Sequence, residues 1–365
     1  MRVAIAASGV GNVRRGVEAW AQQLTYLLRR KRIDATLFKG GGKRGEGEVV
    51  VPCIGQNSVL WGGSHSPFFW GKRSYIQELT FSFFLSFFLK PSYDLVHTSS
   101  QVVARKLITN SVSKGRVIYY EQGYFAPKAL QDFSYVQVMA PYYLDVARKK
   151  GLDTRNWFAI PSFVDASRFK PQGNSIRGQL RIPSDAFVIL SVGAMEDRYK
   201  RMGYVIREVA ALQQRCREKL WLIIAGQRVE ETYKLVRLGR RLLKDKVVFL
   251  CDLRHEDMPW VYNSCNIFVL ATLNEILGVA FLEAMACGLP AIGHRFPVTE
   301  WVIGEGGDKV NMSGHGALST MIERYFDDQY RVEKGKRARR RVEELFSAEV
   351  VTKKVIGMYQ RVLSN

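Results

Sequence analysis

Two glutamates, Glu275 and Glu283, are the residues of this sequence best suited to chemistry. They lie eight residues apart in EILGVAFLEAMACGLP, the first in a short apolar loop and the second in a helix predicted over residues 279–287. The first amides of a helix have no partner within it, so that end can bind a phosphate. Glu283 could then accept hydrogen bonds from a ribose diol, and Glu275 from a hexose. The pattern fits a nucleotide sugar, although a single glutamate is more often an exposed surface residue.

Strand and helix patterns alternate along the whole chain. The strands predicted in the first half are RVAIAA, ATLF, DLVH and RVIYY, and those in the second are AFVILSVG, LWLIIAG, VVFL, NIFVLAT and PAIG. Such alternation predicts parallel sheets covered by helices on both faces. The irregular segment PSFVDASRFKPQGN predicts a crossover between domains. We therefore predict an α/β protein with two doubly wound, Rossmann-like domains facing across a cleft, residues 1–165 and 166–347. The terminal helix 348–365 is a candidate to pack back on the first domain.

The composition points to an anionic partner and a cytoplasmic protein. The 54 Lys and Arg against 34 Asp and Glu give a net charge of +20, which suits nucleic acid, an anionic membrane surface or a phosphorylated small molecule. The five cysteines have no CxxC spacing, so neither a zinc site nor a disulfide framework is predicted. The apolar run LTFSFFLSFFL, residues 79–89, is too short to span a bilayer. It predicts a buried helix, with a helix that dips into a membrane as the alternative.

A glycine loop follows the first strand in SGVGNVRRG. As a dinucleotide fingerprint it fails, because Arg14 stands where the third glycine belongs and no acidic residue follows ATLF. Hydride transfer with a nicotinamide is therefore disfavoured. A backbone that approaches some other ligand and a simple tight turn both stay open.

Segments of the second half resemble the donor domain of family 4 of the retaining glycosyltransferases. In order they are SVGAMEDRYKRMGYVI, LIIAGQ, VVFLCDLRHEDMPWVYNSCNIFVLAT, NEILGVAFLEAMACGLPAIG and TEWVIGEGG. The family pattern EGFG…LEAMA.G.P is matched except that Ile276 and Leu277 replace Gly-Phe. The resemblance implies the two-domain GT-B fold and transfer of a sugar from a nucleoside-diphosphate sugar with retention at the anomeric carbon. A UDP-sugar is favoured as co-substrate, and neither a metal nor another cofactor is implied.

The resemblance also implies roles for residues of the second half. Glu283 would bind the ribose and Glu275 the donor sugar. The family holds the diphosphate with a basic pair: Lys200 matches its lysine, while Ala194 stands where an arginine is common, so that Arg198 or Arg201 would substitute. The backbone amides implied to bind the diphosphate are those of Leu277, Gly278, Val279 and Ala280.

The first half resembles the acceptor-side domain of the same family more loosely. VRRGVEAWAQQL matches the loop and first helix, with Gly16 near the donor phosphates. YDLVHTSS matches a segment with two histidines, where His97 takes the first position and Ser99 the second. His97 is thus a catalytic candidate beside Lys200 and Glu275, but a core histidine is as good an interpretation, and which of His97 and Ser99 lies near the reacting carbon stays open. Acceptor specificity is expected in irregular loops such as IGQNSVLWGGSHSPFFWGKR.

We therefore predict a glycosyltransferase of polysaccharide biosynthesis that acts on a glycan or lipid-linked acceptor. Basic clusters at residues 29–32 and 72–73 and the aromatic run 81–88 suggest peripheral contact with the cytoplasmic face of a membrane. Two alternatives are a nucleotide-sugar epimerase of the same fold and a non-enzymatic, basic protein that binds nucleic acid. The second depends on KGKRARRR, residues 334–341, a run more typical of a solvated helix face. No nucleic-acid partner is therefore expected.

Overall fold

A computed structural model describes residues 1–13, 16–56, 58, 70–89, 93–110, 115–123, 125–173 and 175–364. The chain divides into two compact units, one formed by Met1–Ser162 together with Val351–Asn365 and the other by Phe163–Val350. Each unit is built on one parallel sheet. This confirms the predicted α/β class with two doubly wound, Rossmann-like domains.

The first unit contains a seven-stranded sheet with the order β3-β2-β1-β4-β5-β6-β7. Its strands are β1 (Arg2–Ala7), β2 (Asp34–Lys39), β3 (Glu48–Val50), β4 (Leu95–Thr98), β5 (Val117–Tyr120), β6 (Tyr135–Val138) and β7 (Trp157–Ala159). Its helices are α1 (Gly16–Arg30), α2 (Trp70–Phe88), α3 (Gln101–Thr109) and α4 (Pro141–Lys149), joined by most of the C-terminal helix α12 (Ala348–Ser364). The interior strand β1 is buried from Val3 onward, as expected of a strand covered on both faces.

Helix α2 includes the apolar run that predicts a buried helix, and the prediction of burial is only half right. Phe81 and Leu85 are fully buried, whereas Phe83 is 53% exposed and Phe87 71% exposed. A helix that packs against a domain from outside buries one stripe of its surface, and the opposite stripe here is also apolar. In the preceding loop IGQNSVLWGGSHSPFFWGKR, positions 57 and 59–69 lie outside the described residues.

The second unit contains a six-stranded sheet with the order β10-β9-β8-β11-β12-β13. Its strands are β8 (Phe187–Val192), β9 (Leu220–Gly226), β10 (Val247–Cys251), β11 (Ile267–Leu270), β12 (Ala291–His294) and β13 (Gly307–Val310). Its helices are α5 (Met202–Gln213), α6 (Thr232–Leu243), α7 (Met258–Tyr262), α8 (Val279–Ala286), α9 (Pro297–Ile303), α10 (Ala317–Glu323) and α11 (Asp328–Leu345). The five strands predicted for this half are present. The sixth, β13, has the sequence GDKV, which carries no apolar run that could predict it.

The described residues include no helix that is both long enough and apolar enough to cross a membrane.

Candidate active site

The strand order of the second unit reverses between β8 and β11. Strands β9 and β10 lie on one side of β8, while β12 and β13 lie beyond β11. Open α/β sheets bind ligands outside the carboxyl ends of their strands at such a reversal. The segments that leave these two ends are residues 193–201 after β8 and 271–278 after β11. They contain Lys200 and Glu275, two of the residues singled out by the sequence.

Lys200 and Glu275 form an ion pair. Lys200 Nζ lies 2.9 Å from Glu275 Oε2, and the two side chains are 20% and 8% exposed. The methylene chain of Lys200 runs past Gly193, where an added methyl group would lie 3.2 Å from Lys200 Cγ and Cδ. Because desolvation offsets much of the attraction in a shielded pair, such a contact is weak evidence for a stabilising role. It does place a cation and a carboxylate side by side at the sheet reversal.

The N-terminus of α8 follows Glu275 directly. Gly278 precedes the helix with φ of +76°, in the left-handed region, and as the N-cap residue it supplies no side-chain hydrogen bond. Leu277 is buried, whereas Val279 is 37% exposed and Ala280 is partly exposed. The first turn of a helix presents unpaired amides and a partial positive charge. This end of α8 is therefore suited to an anion, as predicted from the sequence.

Glu283, one turn into α8, is held by two hydrogen bonds. Tyr262 donates its hydroxyl to Glu283 Oε2 at 2.7 Å, and His255 Nε2 lies 2.7 Å from Glu283 Oε1. Glu283 is 8% exposed, so it is not the exposed surface glutamate of the alternative interpretation. Burial and the nearby Glu283 charge raise the pKa of Tyr262 well above its usual value, so the phenol stays protonated and donates.

Ala194 stands where the family commonly has an arginine, and Arg198 and Arg201 are the two candidates to replace it. They differ in their surroundings. The Arg201 guanidinium donates to the backbone oxygens of Ala271 at 3.2 Å and Met312 at 2.8 Å. It also lies 4.3 Å from the centre of the Tyr204 ring. Arg198 is exposed, and within the described part of the chain its side chain has no hydrogen-bond or ion-pair partner. Arg201 is thus occupied in joining backbone segments, which leaves Arg198 as the better candidate for a phosphate.

The basic run at residues 334–341 forms part of α11 and is less solvated than predicted. Arg339 donates to the backbone oxygens of Ala286 and Phe169 at 2.6 Å and of Ala166 at 2.9 Å. Arg341 donates to the backbone oxygen of Val302 at 2.9 Å. Since Ala286 is the last residue of α8, Arg339 satisfies a carbonyl that the helix end leaves unpaired. These arginines are therefore engaged within the second unit, which disfavours the run as a nucleic-acid surface.

In the first unit His97 lies in the core on β4. It is 0% exposed, its Nδ1 lies 2.8 Å from the Tyr359 hydroxyl of α12, and its ring centre lies 5.0 Å from that of Trp20. Burial lowers the pKa of His97 to about 3, so the imidazole is neutral. This placement favours the core histidine over the catalytic candidate. Ser99, just after the strand, is partly exposed.

Gly16, the other site residue predicted in the first unit, is the first residue of α1. Nothing among the described residues lies within 4 Å of a methyl group added there. Packing therefore does not require a glycine at this position, and no described residue fills the space where its side chain would be.

The sequence prediction missed His255 and Tyr262, the two partners of Glu283. His255 follows β10 by four residues, at the same carboxyl-terminal edge of the sheet as Lys200 and Glu275. A titratable residue just after a strand of a doubly wound sheet is a signal that could have identified it. Tyr262 ends the short helix α7 inside an apolar pattern, and nothing in the sequence distinguishes it from a core residue. Within the described residues no group of His, Cys, Asp or Glu is arranged to hold a metal ion.

In a comparison with known protein families, residues 173–344 match the family model described as glycosyl transferases group 1. D-inositol 3-phosphate glycosyltransferase 2 of Catenulispora acidiphila is 27% identical over 199 residues, which are 52% of this chain and 46% of that protein. Mannosylfructose-phosphate synthase of Agrobacterium fabrum is 31% identical over 162 residues, 42% of this chain and 36% of that protein. The chain thus spans less than half the length of these curated relatives.

Solved structures are similar over the whole chain. Sucrose-phosphate synthase from Thermosynechococcus elongatus has a TM-score of 0.83 at 18% identity, covering 100% of this chain and 99% of that one. Anabaena HepE in complex with UDP-glucose has a TM-score of 0.73 at 16% identity, covering 99% and 100%. At such identities the likeness shows the fold, and it confirms the GT-B fold predicted from the sequence.

Proposed function

We propose that the protein transfers a sugar from a nucleoside-diphosphate sugar to an acceptor, because residues 173–344 match the family model described as glycosyl transferases group 1. We also propose retention of the anomeric configuration, as in family 4 of these enzymes. The observation that carries the proposal is the Lys200–Glu275 contact beside the N-terminus of α8, whose N-cap residue supplies no side-chain hydrogen bond. A UDP-sugar is favoured as the donor because similar structures of Anabaena HepE contain UDP or UDP-glucose.

Each part of the donor has a matching group in this proposal. The diphosphate lies at the amides of residues 277–280, with Lys200 and Arg198 as its cations. The transferred sugar donates hydroxyl hydrogen bonds to Glu275, and the ribose donates to Glu283. Gly16 keeps its proposed role near the donor phosphates, since a methyl group added there would meet nothing among the described residues. His97 has no direct role, since it is buried and neutral.

The chemistry follows from charge. As the bond between the anomeric carbon and the diphosphate oxygen breaks, the leaving nucleoside diphosphate gains negative charge, while the acceptor oxygen bonds to the carbon and passes its proton to the leaving diphosphate. Groups already oriented toward that developing charge stabilise the transition state more than the ground state. Lys200 and the α8 amides are such groups, and together they take the place of a divalent cation.

The test is a donor panel followed by two variants. Ligands that bind the native state raise its melting temperature, so the panel of UDP, GDP, ADP and their sugars identifies the base. With the best donor, Lys200→Ala and Glu283→Ala are each expected to lower the rate of transfer about 10²- to 10³-fold while the fold is retained. Unchanged turnover of both variants at saturating donor would refute the donor site. Product that is isomerised donor rather than glycosylated acceptor would identify an epimerase instead.

We further propose that the acceptor is a glycan or lipid-linked molecule presented at a membrane surface. Support comes from the α2 aromatic face, which we define as the exposed side chains of Tyr75, Leu79, Phe83, Phe84, Phe87 and Phe88. Soluble proteins rarely expose so contiguous an apolar patch without an interaction. Burying one phenylalanine ring stabilises a complex by about 1.5–3 kcal/mol, and the net charge of +20 adds attraction to anionic lipid.

Sedimentation with lipid vesicles tests this contact. The protein is expected to sediment with vesicles of phosphatidylglycerol and phosphatidylcholine, less so at high salt, and Phe83→Ser with Phe87→Ser is expected to abolish it. Tyr233→Ser, which removes an equally exposed ring from α6, serves as the matched control and should behave as wild type. Equal recovery in the supernatant with and without vesicles would refute the membrane contact and leave the donor site untouched.

A further inference from the structure

Glu283 is a buried carboxylate without a strong cationic partner. Tyr262 donates to one of its oxygens, and Nε2 of the half-exposed His255 lies 2.7 Å from the other. Within the described residues no lysine or arginine forms an ion pair with Glu283. Its orientation is therefore fixed by two hydrogen bonds, one to each oxygen.

The two partners of Glu283 differ in how firmly they are held. Tyr262 is fully buried, so its hydroxyl has a fixed position. The His255 side chain is 48% exposed and stands in the loop between β10 and α7, where its ring centre lies 5.2 Å from that of Phe169. Beside it Arg254 pairs with Asp257 at 3.0 Å, so the neighbouring charges of the loop are directed at one another.

One hydrogen bond does not orient a glutamate carboxylate, because the terminal torsion of this side chain is broad. With Tyr262 alone, the plane of the carboxylate could turn about the bond that leads to it. The contact with His255 at the other oxygen removes that freedom. An ionised carboxylate has about four lone-pair positions, and the two hydrogen bonds use one on each oxygen. One position on each oxygen remains, which is the arrangement that two neighbouring hydroxyls require.

We propose that His255 is a positioning residue of the donor site, which holds Glu283 so that its free lone pairs face the ribose hydroxyls. This inference rests on the proposed function. It assigns the residue that orients Glu283, the hydrogen-bond acceptor for the ribose hydroxyls. The imidazole donates from Nε2 whether it is protonated or neutral in the matching tautomer, so the contact does not depend on charge. A glutamine at position 255 also carries an N–H donor and can replace it.

The experiment compares UDP with 2′-deoxy-UDP by titration calorimetry. The two ligands differ only in the 2′-hydroxyl, which is one of the two ribose hydroxyls from which Glu283 would accept a hydrogen bond. For wild type, UDP is expected to bind more tightly. His255→Ala is expected to reduce the ratio of the two affinities about five- to tenfold, because a hydrogen bond from the ribose to a misoriented charged acceptor is largely lost. His255→Gln is expected to restore the ratio.

His315→Ala is the matched control. His315 Nδ1 lies 3.3 Å from Glu208 Oε1, so it too is an exposed histidine beside a buried glutamate of the second unit. This variant should leave both affinities and their ratio unchanged. It therefore separates a specific effect on Glu283 from the general effect of removing a histidine.

Two results would overturn the inference while sparing the donor site. In the first, His255→Ala weakens UDP and 2′-deoxy-UDP equally or not at all, which is the behaviour of a merely structural residue. In the second, His255→Ala binds UDP more tightly, which would mean that the imidazole occupies the place of a ribose hydroxyl. If wild type binds none of UDP, GDP and ADP, the proposed function itself fails.

Discussion

Replacing Gly278 by alanine should destabilise the start of α8 by more than the cost of placing alanine in the left-handed backbone conformation of Gly278. A methyl group at this position would lie 2.6 Å from Phe281 Cδ2 and 3.0 Å from Glu275 Cγ. Phe281 is 1% exposed, so its ring cannot turn aside into solvent. Gly316, which precedes α10 with φ of +90°, is a matched control, since nothing described lies within 4 Å of a methyl group added there.

The two substitutions share one cost and differ in another. A left-handed backbone costs a residue with a Cβ roughly 1–2 kcal/mol, and this applies to both positions. The gain from a less flexible unfolded chain also applies to both and cancels in the comparison. Only Gly278→Ala must in addition relieve an overpacked contact, which costs about 1–3 kcal/mol. The free energy of unfolding should therefore fall by about 1–3 kcal/mol more for Gly278→Ala than for Gly316→Ala.

Donor binding should separate the variants further. Relief of the contact moves Phe281, Glu275 or the first amides of α8, and small misplacements at a binding site can cost up to about 100-fold. We expect Gly278→Ala to bind UDP at least about tenfold more weakly, and Gly316→Ala to bind it as wild type does. Urea denaturation and titration calorimetry provide the two measurements. Equal destabilisation of both variants, with unchanged UDP affinity, would show that α8 tolerates the methyl group and refute the reasoning.

Further predictions concern the cations. Transfer should persist in excess EDTA, because in our proposal Lys200 and the helix end take the place of a metal; loss of activity that Mg²⁺ or Mn²⁺ restores would contradict this. Arg198→Ala should raise the donor KM about tenfold without a change in stability, whereas Arg201→Ala should lower stability by about 1–3 kcal/mol as two carbonyls lose their partner. The reverse pattern would assign the diphosphate to Arg201. Arg339→Ala should destabilise the fold by about 2–4 kcal/mol in urea denaturation, whereas Arg340→Ala, at the exposed neighbouring residue, should not. Equal urea midpoints of the two variants would argue against capping of α8 by Arg339.

Elements with a strong apolar pattern could be predicted from the sequence. The five predicted strands of the second unit are continuous apolar runs, as buried parallel strands must be. The helix predicted over residues 279–287 is α8, Val279–Ala286, because Gly288 and Pro290 cannot continue it. Strand β13 was missed because an edge strand is short and tolerates charge, so GDKV resembles a loop.

The surroundings of the site residues could not be predicted in the same way. Glu283 meets Tyr262 across 21 residues and His255 across 28, and Arg339 meets the Ala286 carbonyl across 53. Periodicity describes which face of an element is buried, but not which side chain of another element lies opposite. For this reason the sequence could not separate Arg198 from Arg201, although in the structure Arg201 donates to two backbone oxygens and the Arg198 side chain has no partner among the described residues.

The different partners of the two glutamates fit their proposed ligands. Glu275 is neutralised by Lys200, so in the absence of donor neither charge is left unpaired in a shielded place. An arriving diphosphate, with more negative charge than a carboxylate, would compete for the lysine. Glu275 would then accept hydrogen bonds from the hydroxyls of the sugar attached to that diphosphate, so both charges would exchange one partner for another. Among the described residues Glu283 has no lysine or arginine to lose, which suits a neutral ribose. The donor would thus be bound by exchanging contacts that already exist, and little new desolvation would be required of the protein.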